Sequence, residues 1–366
     1  MTAHPMSRLW SLGRRRLGQE LREAAELRTG QPLSRPFAIR AHPTERCNYK
    51  CGSCACWRLD EYPAEMSLAQ WQQAFADLRR YVGRFNVQFA GGEPLLFKPF
   101  LDLVQWCADR QIDWGMITNG SALSASNVAR LVAASPVNID VSVDGASDAV
   151  HDASRGIEGS LARIHQGLQR LRIARDAAGA GFPIRIKATV HRHNLHEMSA
   201  LVDWVVQAGA SSVDFSPVRP WTSEVSRDLW LRPSDEARLE QMVEMLIEAK
   251  RAGAPIETEE RRMQSWVAHF RGDSVVPERT PCRVGLRDFH ILANGDVRSC
   301  WEYPVIGNVT RQSAREIWTS ATARQQRAET LACSLLGSPK CATSCLAHRT
   351  IAQDWKRVVM LSPRPR

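Results

Sequence analysis

Between about residues 35 and 220 the sequence switches six times from a short apolar run to a helical pattern, and this alternation is what most restricts the fold. FAIRA (37–41), FNVQFA (85–90), WGMIT (114–118), NIDVSVD (138–144), IRIKATV (184–190) and SVDFSPV (212–218) are strand-length runs rich in β-branched and aromatic residues. Helical spacing fills the gaps. Ser67 and Gln70 predict a capping box ahead of Leu68, Trp71, Phe75 and Leu78. Leu101, Val104 and Cys107 mark a second helix. Ser160 is expected to cap a third, with Leu161, Ile164, Leu168 and Leu171 on one face, and Met198, Leu201, Val202 and Val205 mark the next. Repeated strand–loop–helix units call for a parallel sheet with helices outside, and right-handed crossovers curl it. The expected fold is therefore α/β, a partial (β/α)6 TIM-like barrel. Such folds place their sites at the C-terminal strand ends. The polar and glycine-rich pieces fall there: a cysteine loop after residue 41, then Gly91-Gly92-Glu93, Thr118-Asn119-Gly120 and Asp144-Gly145.

The rest of the chain is expected to divide around that barrel (35–232). Residues 1–34 read as an amphipathic helical extension, with Leu17, Leu21 and Ala24 at helical spacing between Arg14 and Arg28 and packed on the barrel. Residues 233–279 read as a helical connector, with a helix over about 234–252 capped by Ser234. Residues 280–350 read as a small C-terminal cysteine-rich α+β domain: a hairpin around Asn294-Gly295, a helix near 313–329 and a cysteine-rich end. Residues 351–366 form a tail. The net charge of +9, from 48 basic and 39 acidic residues, comes from scattered arginines with no nucleic-acid signature, so no nucleic-acid partner is expected. There is neither a spanning apolar run nor a secretory h-region, so no membrane span is expected and the location is read as cytoplasmic.

Ten cysteines in such a chain point to ligation rather than disulfides. Cys47, Cys51, Cys54 and Cys56 crowd one loop; Cys282, Cys300, Cys333, Cys341 and Cys345 lie in the last quarter; Cys107 reads as a core residue. CNYKCGSC has the spacing C-x3-C-x2-C. Cuboidal iron–sulfur clusters usually take four thiolates, so three leave one iron open to a small molecule, as an open position does in a catalytic zinc site. Cys56 is the weaker fourth ligand, because Cys54-Ala55-Cys56 would put two thiolates on nearly adjacent positions. Zinc is the alternative.

This spacing resembles the signature of the radical S-adenosylmethionine (radical SAM) superfamily, and the resemblance extends over about residues 35–350. Gly91-Gly92-Glu93 resembles the family's GGE motif, which implies contact with the methionine amino group of S-adenosyl-L-methionine. Ser142 and Asp144 in SVDG resemble its fourth-strand segment, and the following stretch makes Arg155 a candidate for the cofactor carboxylate. Thr118 and Asn119 would line the same pocket. Lys187, Thr189, Phe215 and Pro217 are further candidates for ribose and adenine. The family's opening step implies a reduced [4Fe–4S] cluster, held by Cys47, Cys51 and Cys54, that cleaves the cofactor to a 5′-deoxyadenosyl radical. It also implies an electron donor such as flavodoxin or ferredoxin.

Twelve residues separate Cys282 from Gly295 and four more precede Cys300, which resembles the opening of the SPASM and Twitch extensions of this family. A full SPASM domain carries seven cysteines; five here imply one auxiliary [4Fe–4S] cluster. Its expected ligands are Cys282, Cys300, Cys341 and Cys345, with Cys333 as the alternate and zinc as the other occupant. The expected substrate is a biosynthetic small molecule such as a sugar, dehydrogenated or epimerised. The alternative is a ribosomal peptide or protein, crosslinked, oxidised or epimerised. A third class, an electron-transfer or redox-sensing protein, is disfavoured because it needs no cofactor pocket.

Overall fold

The computed structural model describes residues 5–275 and 281–341. After a long first helix α1 (Pro5–Thr29), strands and helices alternate: β1 (Ala38–Ala41), α2 (Leu68–Val82), β2 (Asn86–Phe89), α3 (Phe100–Asp109), β3 (Asp113–Thr118), α4 (Ala125–Ala133), β4 (Asn138–Ser142), α5 (Asp148–Arg155), α6 (Ser160–Ala177), β5 (Ile184–Val190), α7 (Met198–Gln207) and β6 (Ser212–Pro217). Then come α8 (Ser223–Asp228), α9 (Glu236–Arg251), α10 (Glu260–Gln264), α11 (Trp266–Arg271), β7 (Asp288–Ile291), β8 (Asp296–Arg298), β9 (Gly307–Asn308), α12 (Ala314–Thr319) and α13 (Ala321–Leu331).

The six expected strands are present and pair in parallel in sequence order, and the sheet stays open, a partial TIM barrel. Alternation along each strand sorts the side chains into two environments. Ile39, Val87, Phe89, Trp114, Ile139, Val141, Ile186 and Phe215 lie in the buried core beneath the helices; Phe89 meets Phe100 edge-on at 5.2 Å. The intervening positions (Arg40, Gln88, Asp140, Ser142, Arg185, Lys187, Asp214) make the opposite, lumenal face polar. Phe215 and Pro217 are both buried, and Phe215 belongs to the core. The polar side chains that β6 contributes beside them are Asp214 and Ser216.

Several local expectations are corrected. The Ser67–Gln70 capping box forms, but α6 is preceded by Gly159 in the left-handed region (φ 68°), and Ser160 is its first helical residue. Its hydroxyl instead donates to Asp152 at 2.7 Å. Ser234 does not cap α9; it sits in a short turn whose Asp235 carboxylate accepts the Arg232 amide at 3.0 Å. The helix expected near 313–329 is two helices, because Ser320 is extended (φ −60°, ψ 158°) and caps the second.

The hairpin around Asn294-Gly295 forms between β7 and β8, with Gly295 at φ 86°. It does not stand apart from the barrel. β7 pairs in parallel with β1, so the hairpin continues the barrel sheet past its first strand.

Helix α1 also packs, though not by its leucines. Leu17 and Leu21 are 54% and 64% exposed. The buried face carries Arg16, Gln19, Glu23 and Glu26. Glu23 holds Arg287 through two contacts of 2.7 Å, and Glu20 reaches Arg283 at 3.0 Å. The helix is drawn in by arginines of the C-terminal part, which periodicity of apolar residues does not register. No helix among the described residues is long and apolar enough to cross a membrane.

Candidate active site

The first cysteine loop leaves the end of β1, and the segment after β2 holds it in place. Gly92 N–H donates to Thr44 O at 3.0 Å and Glu93 N–H to Arg46 O at 2.8 Å. Gly-Gly-Glu therefore runs alongside the residues just before Cys47. A Cβ on Gly91 would lie 2.6 Å from Thr44 O, and one on Gly92 2.0 Å from Arg46 O. Gly91 also needs φ 110°, a conformation that favours glycine. The close approach these glycines permit is to the chain's own cysteine loop.

Glu93 is fully buried. One carboxylate oxygen accepts the Thr118 hydroxyl (2.8 Å) and the Leu95 amide (3.3 Å), and the other accepts the Asn119 amide (2.7 Å). It ties the end of β2 to the end of β3. Burial pushes its carboxyl up to about 7, against the pull of those hydrogen bonds.

Three sulfurs of the loop share one property. Cys47 Sγ accepts from the Asn119 side-chain amide at 3.8 Å, Cys51 Sγ from Arg155 Nη1 at 3.7 Å, and Cys54 Sγ from the Cys56 amide at 3.4 Å. Cys56 differs, for its thiol donates to Gly91 O at 3.8 Å. The Cys56 contacts pull the Cys54 thiol down to about 6, while Cys56 is pushed up. Burial pushes Cys47 up to about 11 and raises Cys51. N–H donors on cluster-binding thiolates are the usual outer-shell support of an iron–sulfur site. Each of these three sulfurs therefore accepts an N–H, as the thiolates of such a site would.

The other candidate residues gather around this loop. Asp144, after β4, pairs with Arg155 at 3.0 Å and accepts the Thr189 amide at 2.7 Å. Its second carboxylate oxygen is buried without a hydrogen-bond partner. His151 accepts the Asp144 amide at Nδ1 (3.2 Å), and its Nε2 is likewise buried and unpartnered. Ser142 is half-buried at the end of β4, in register with Lys187 on β5. Lys187 pairs with Asp214 at 2.5 Å, and deeper in the lumen Arg185 grips Asp140 through two contacts of 2.7 Å.

Cysteines of the C-terminal part assemble separately. Cys282 is buried with Val284 and Leu336, and Cys300, Cys333 and Cys341 pack against them. Cys333, the expected alternate, thus stands with Cys282, Cys300 and Cys341, while Cys345 lies outside the described residues. Burial pushes Cys282 up to about 12 and raises Cys300 and Cys341. Cys107 is alone in the core beneath α3.

Two features escaped the sequence reading. His42, at the end of β1, stacks on Trp301 at 5.1 Å, so the residue after Cys300 touches the root of the first loop. Helix α5, which carries Arg155, was not predicted either. Its eight residues have no continuous apolar face, and the signal available was Ser147, whose side chain caps it.

Comparison with known proteins accords with this geometry. Residues 42–205 match the family model of the Radical SAM superfamily, and residues 282–346 match that of an iron–sulfur cluster-binding domain, SPASM. The chain is 25% identical over 302 residues to the PqqA peptide cyclase of Rhodopseudomonas palustris, covering 79% of this chain and 74% of that protein. It is 26% identical to the AdoMet-dependent heme synthase of Methanosarcina barkeri, covering 78% and 83%. It is 25% identical to the sporulation killing factor maturation protein SkfB of Bacillus subtilis, covering 92% and 76%. In fold it is similar to Streptococcus suis SuiB bound to S-adenosylmethionine, with a TM-score of 0.66 and 17% identity over 90% of this chain and 77% of that one.

Proposed function

Because this chain belongs to the radical SAM superfamily and carries a C-terminal SPASM domain, we propose that it is a maturase that modifies a ribosomal peptide or protein. It is an enzyme whose cofactors are a [4Fe–4S] cluster, S-adenosylmethionine and an auxiliary iron–sulfur cluster. Reductive cleavage of S-adenosylmethionine supplies the species that takes a hydrogen atom from substrate.

On this reading Cys47, Cys51 and Cys54 hold the first cluster, and Asn119, Arg155 and the Cys56 amide orient their sulfurs. Gly91 and Gly92 let the loop sit against the end of β2, and Glu93 locks that end to β3. Cys282, Cys300, Cys333 and Cys341 hold the auxiliary cluster. Thr118, Asn119, Ser142 and Asp144 shape the rim where the cofactor binds.

The observation that carries the peptide reading is the match to SkfB, a maturation protein, over 92% of this chain and 76% of that protein. It reaches beyond the two shared domains, and the PqqA peptide cyclase match points the same way. These relatives favour a peptide over the sugar-like substrate expected from sequence. Of the lumenal ion pairs, Arg185–Asp140 is buried and Lys187–Asp214 is the more exposed, and its charges could hydrogen-bond a peptide as they could a small polar substrate. A small-molecule substrate is the second reading, favoured by the heme synthase match over 83% of that protein.

The test incubates reduced, reconstituted enzyme and S-adenosylmethionine with short peptides encoded beside its gene, followed by mass spectrometry. A covalently altered peptide formed together with 5′-deoxyadenosine is expected. Turnover of a tetrapyrrole with every peptide left unchanged would replace this reading with the second.

A further inference from the structure

Arg155 occupies an unusual position for a guanidinium. It is 8% exposed, at the last residue of α5, and the chain around Cys51 is docked onto that helix end. Lys50 N–H donates to Arg155 O at 3.2 Å, and Gly52 N–H to Ser154 O at 3.1 Å. Gly156 follows in the left-handed region, and a Cβ there would lie 2.6 Å from Lys50 O. The two residues flanking Cys51 are thus clamped to the helix C-terminus, and Cys51 is brought beneath the Arg155 side chain.

The guanidinium then divides its donors. Nη2 goes to Asp144 at 3.0 Å, Nη1 to Cys51 Sγ at 3.7 Å, and Nε is buried without a partner. Asp144 returns one oxygen to this pair and leaves the other unpartnered. The contact is single-point, not the bidentate fork in which an arginine and a carboxylate satisfy each other. Asp144 itself is fixed from outside, by the Thr189 amide at 2.7 Å and by Asn194, which donates to the Asp144 carbonyl at 2.8 Å. A permanent cation is therefore held against one sulfur of the first cysteine set, in a site that excludes water and so weakens screening.

We infer that the Asp144–Arg155 pair sets the reduction potential of the first cluster through Cys51. This rests on the reading that Cys47, Cys51 and Cys54 hold that cluster. Reduction adds one electron to a centre bound by three thiolates. A fixed positive charge beside one thiolate stabilises the reduced form, and a nearby negative charge opposes it. Hydrogen bonds and charge at the sulfurs are the protein's means of tuning such centres. Arg155 raises the potential, Asp144 moderates it, and the two act with opposite sign. Each of these terminal nitrogens keeps a second N–H, so the contacts with Asp144 and Cys51 stand beside the expectation that Arg155 also meets the cofactor carboxylate.

The test is a redox titration of the reconstituted holoenzyme followed by electron paramagnetic resonance without S-adenosylmethionine. The first cluster is the signal that added S-adenosylmethionine perturbs in the wild-type protein. At the potential where that signal is half-reduced, Arg155→Gln is expected to lower the reduced-to-oxidised ratio at least tenfold, about 59 mV for one electron. Asp144→Asn is expected to raise the ratio, and Arg155→Lys to stay on the wild-type side of the glutamine variant. If both neutralising variants move the ratio the same way, or neither moves it in iron-loaded protein, the inference is overturned. If Arg155→Gln loads no iron, Asp144→Asn and Arg155→Lys decide. Failure of all three to load would make the pair a folding element and also overturn it. A wild-type protein with no signal that responds to S-adenosylmethionine would instead overturn the assignment of the first cysteine set.

Discussion

Replacing Gly92 by alanine should strip iron from the first cysteine loop while leaving the barrel folded. The added Cβ would stand 2.0 Å from Arg46 O, 2.5 Å from Arg46 C and 2.7 Å from Glu45 C, all backbone atoms of the loop. The loop must therefore retreat by about 1 Å. That movement stretches the Gly92–Thr44 and Glu93–Arg46 hydrogen bonds, now 3.0 and 2.8 Å. Losing them costs about 1 kcal/mol each, and overpacking adds roughly 1–3 kcal/mol. A total of about 3–5 kcal/mol is less than the stability of many domains, but it falls on a loop whose thiolates must be placed to within a few tenths of an ångström. Iron and sulfide analysis of the reconstituted protein should show the first cluster lost and the C-terminal cluster kept. Gly18→Ala is the control: on α1 its Cβ comes no closer than 3.4 Å to the Arg22 side chain, and iron content should be unchanged. A Gly92→Ala protein with full iron and an unaltered response to S-adenosylmethionine would refute the role given to this contact.

Three further outcomes are expected. Single alanine substitutions of Cys282, Cys300, Cys333 and Cys341 should each lower iron content by the auxiliary cluster's share, whereas Cys107→Ala should lower the melting temperature without loss of iron. Glu23→Ala removes the carboxylate that makes two contacts with buried Arg287 but leaves Glu20 at 2.9 Å, and should destabilise the protein by about 1.5–3 kcal/mol in denaturant titration, as loss of hydrogen bonding to a charged group does. His151 and His191 are both held down at about 4, chiefly by burial. Their neutral forms contribute stability that is full above the unfolded value near 6.5 and is lost as pH falls towards about 4. The melting temperature of the apo-protein should drop across that window, and His191→Asn should flatten the decline.

The barrel was legible because its strands are short apolar runs whose alternation survives in the sequence, and because the turn residues after them are polar. The cysteine loop and Gly-Gly-Glu were legible as motifs, but not their mutual contact, since nothing local says that Gly92 approaches Arg46 and not a ligand. Helix α1 misled. Its leucines carry the helical period, yet Glu23 and Glu26 are buried, because Arg287 and Arg327, far along the chain, meet them. Spacing alone did not place Cys333 with the other C-terminal cysteines; its packing beside Cys282 does. The hairpin was predicted correctly while its parallel pairing with β1 was not, because long-range pairing leaves no mark on either strand.

The most direct test is 5′-deoxyadenosine production by reduced, reconstituted protein given S-adenosylmethionine, compared with variants in which Cys47, Cys51 and Cys54 are each alanine. Production by the wild-type protein and none by the three variants, with the auxiliary cluster still loaded, is the predicted result. Continued production by any of the three variants, or loss of production on replacing Cys56 instead, would contradict the assignment of the catalytic cluster to this loop.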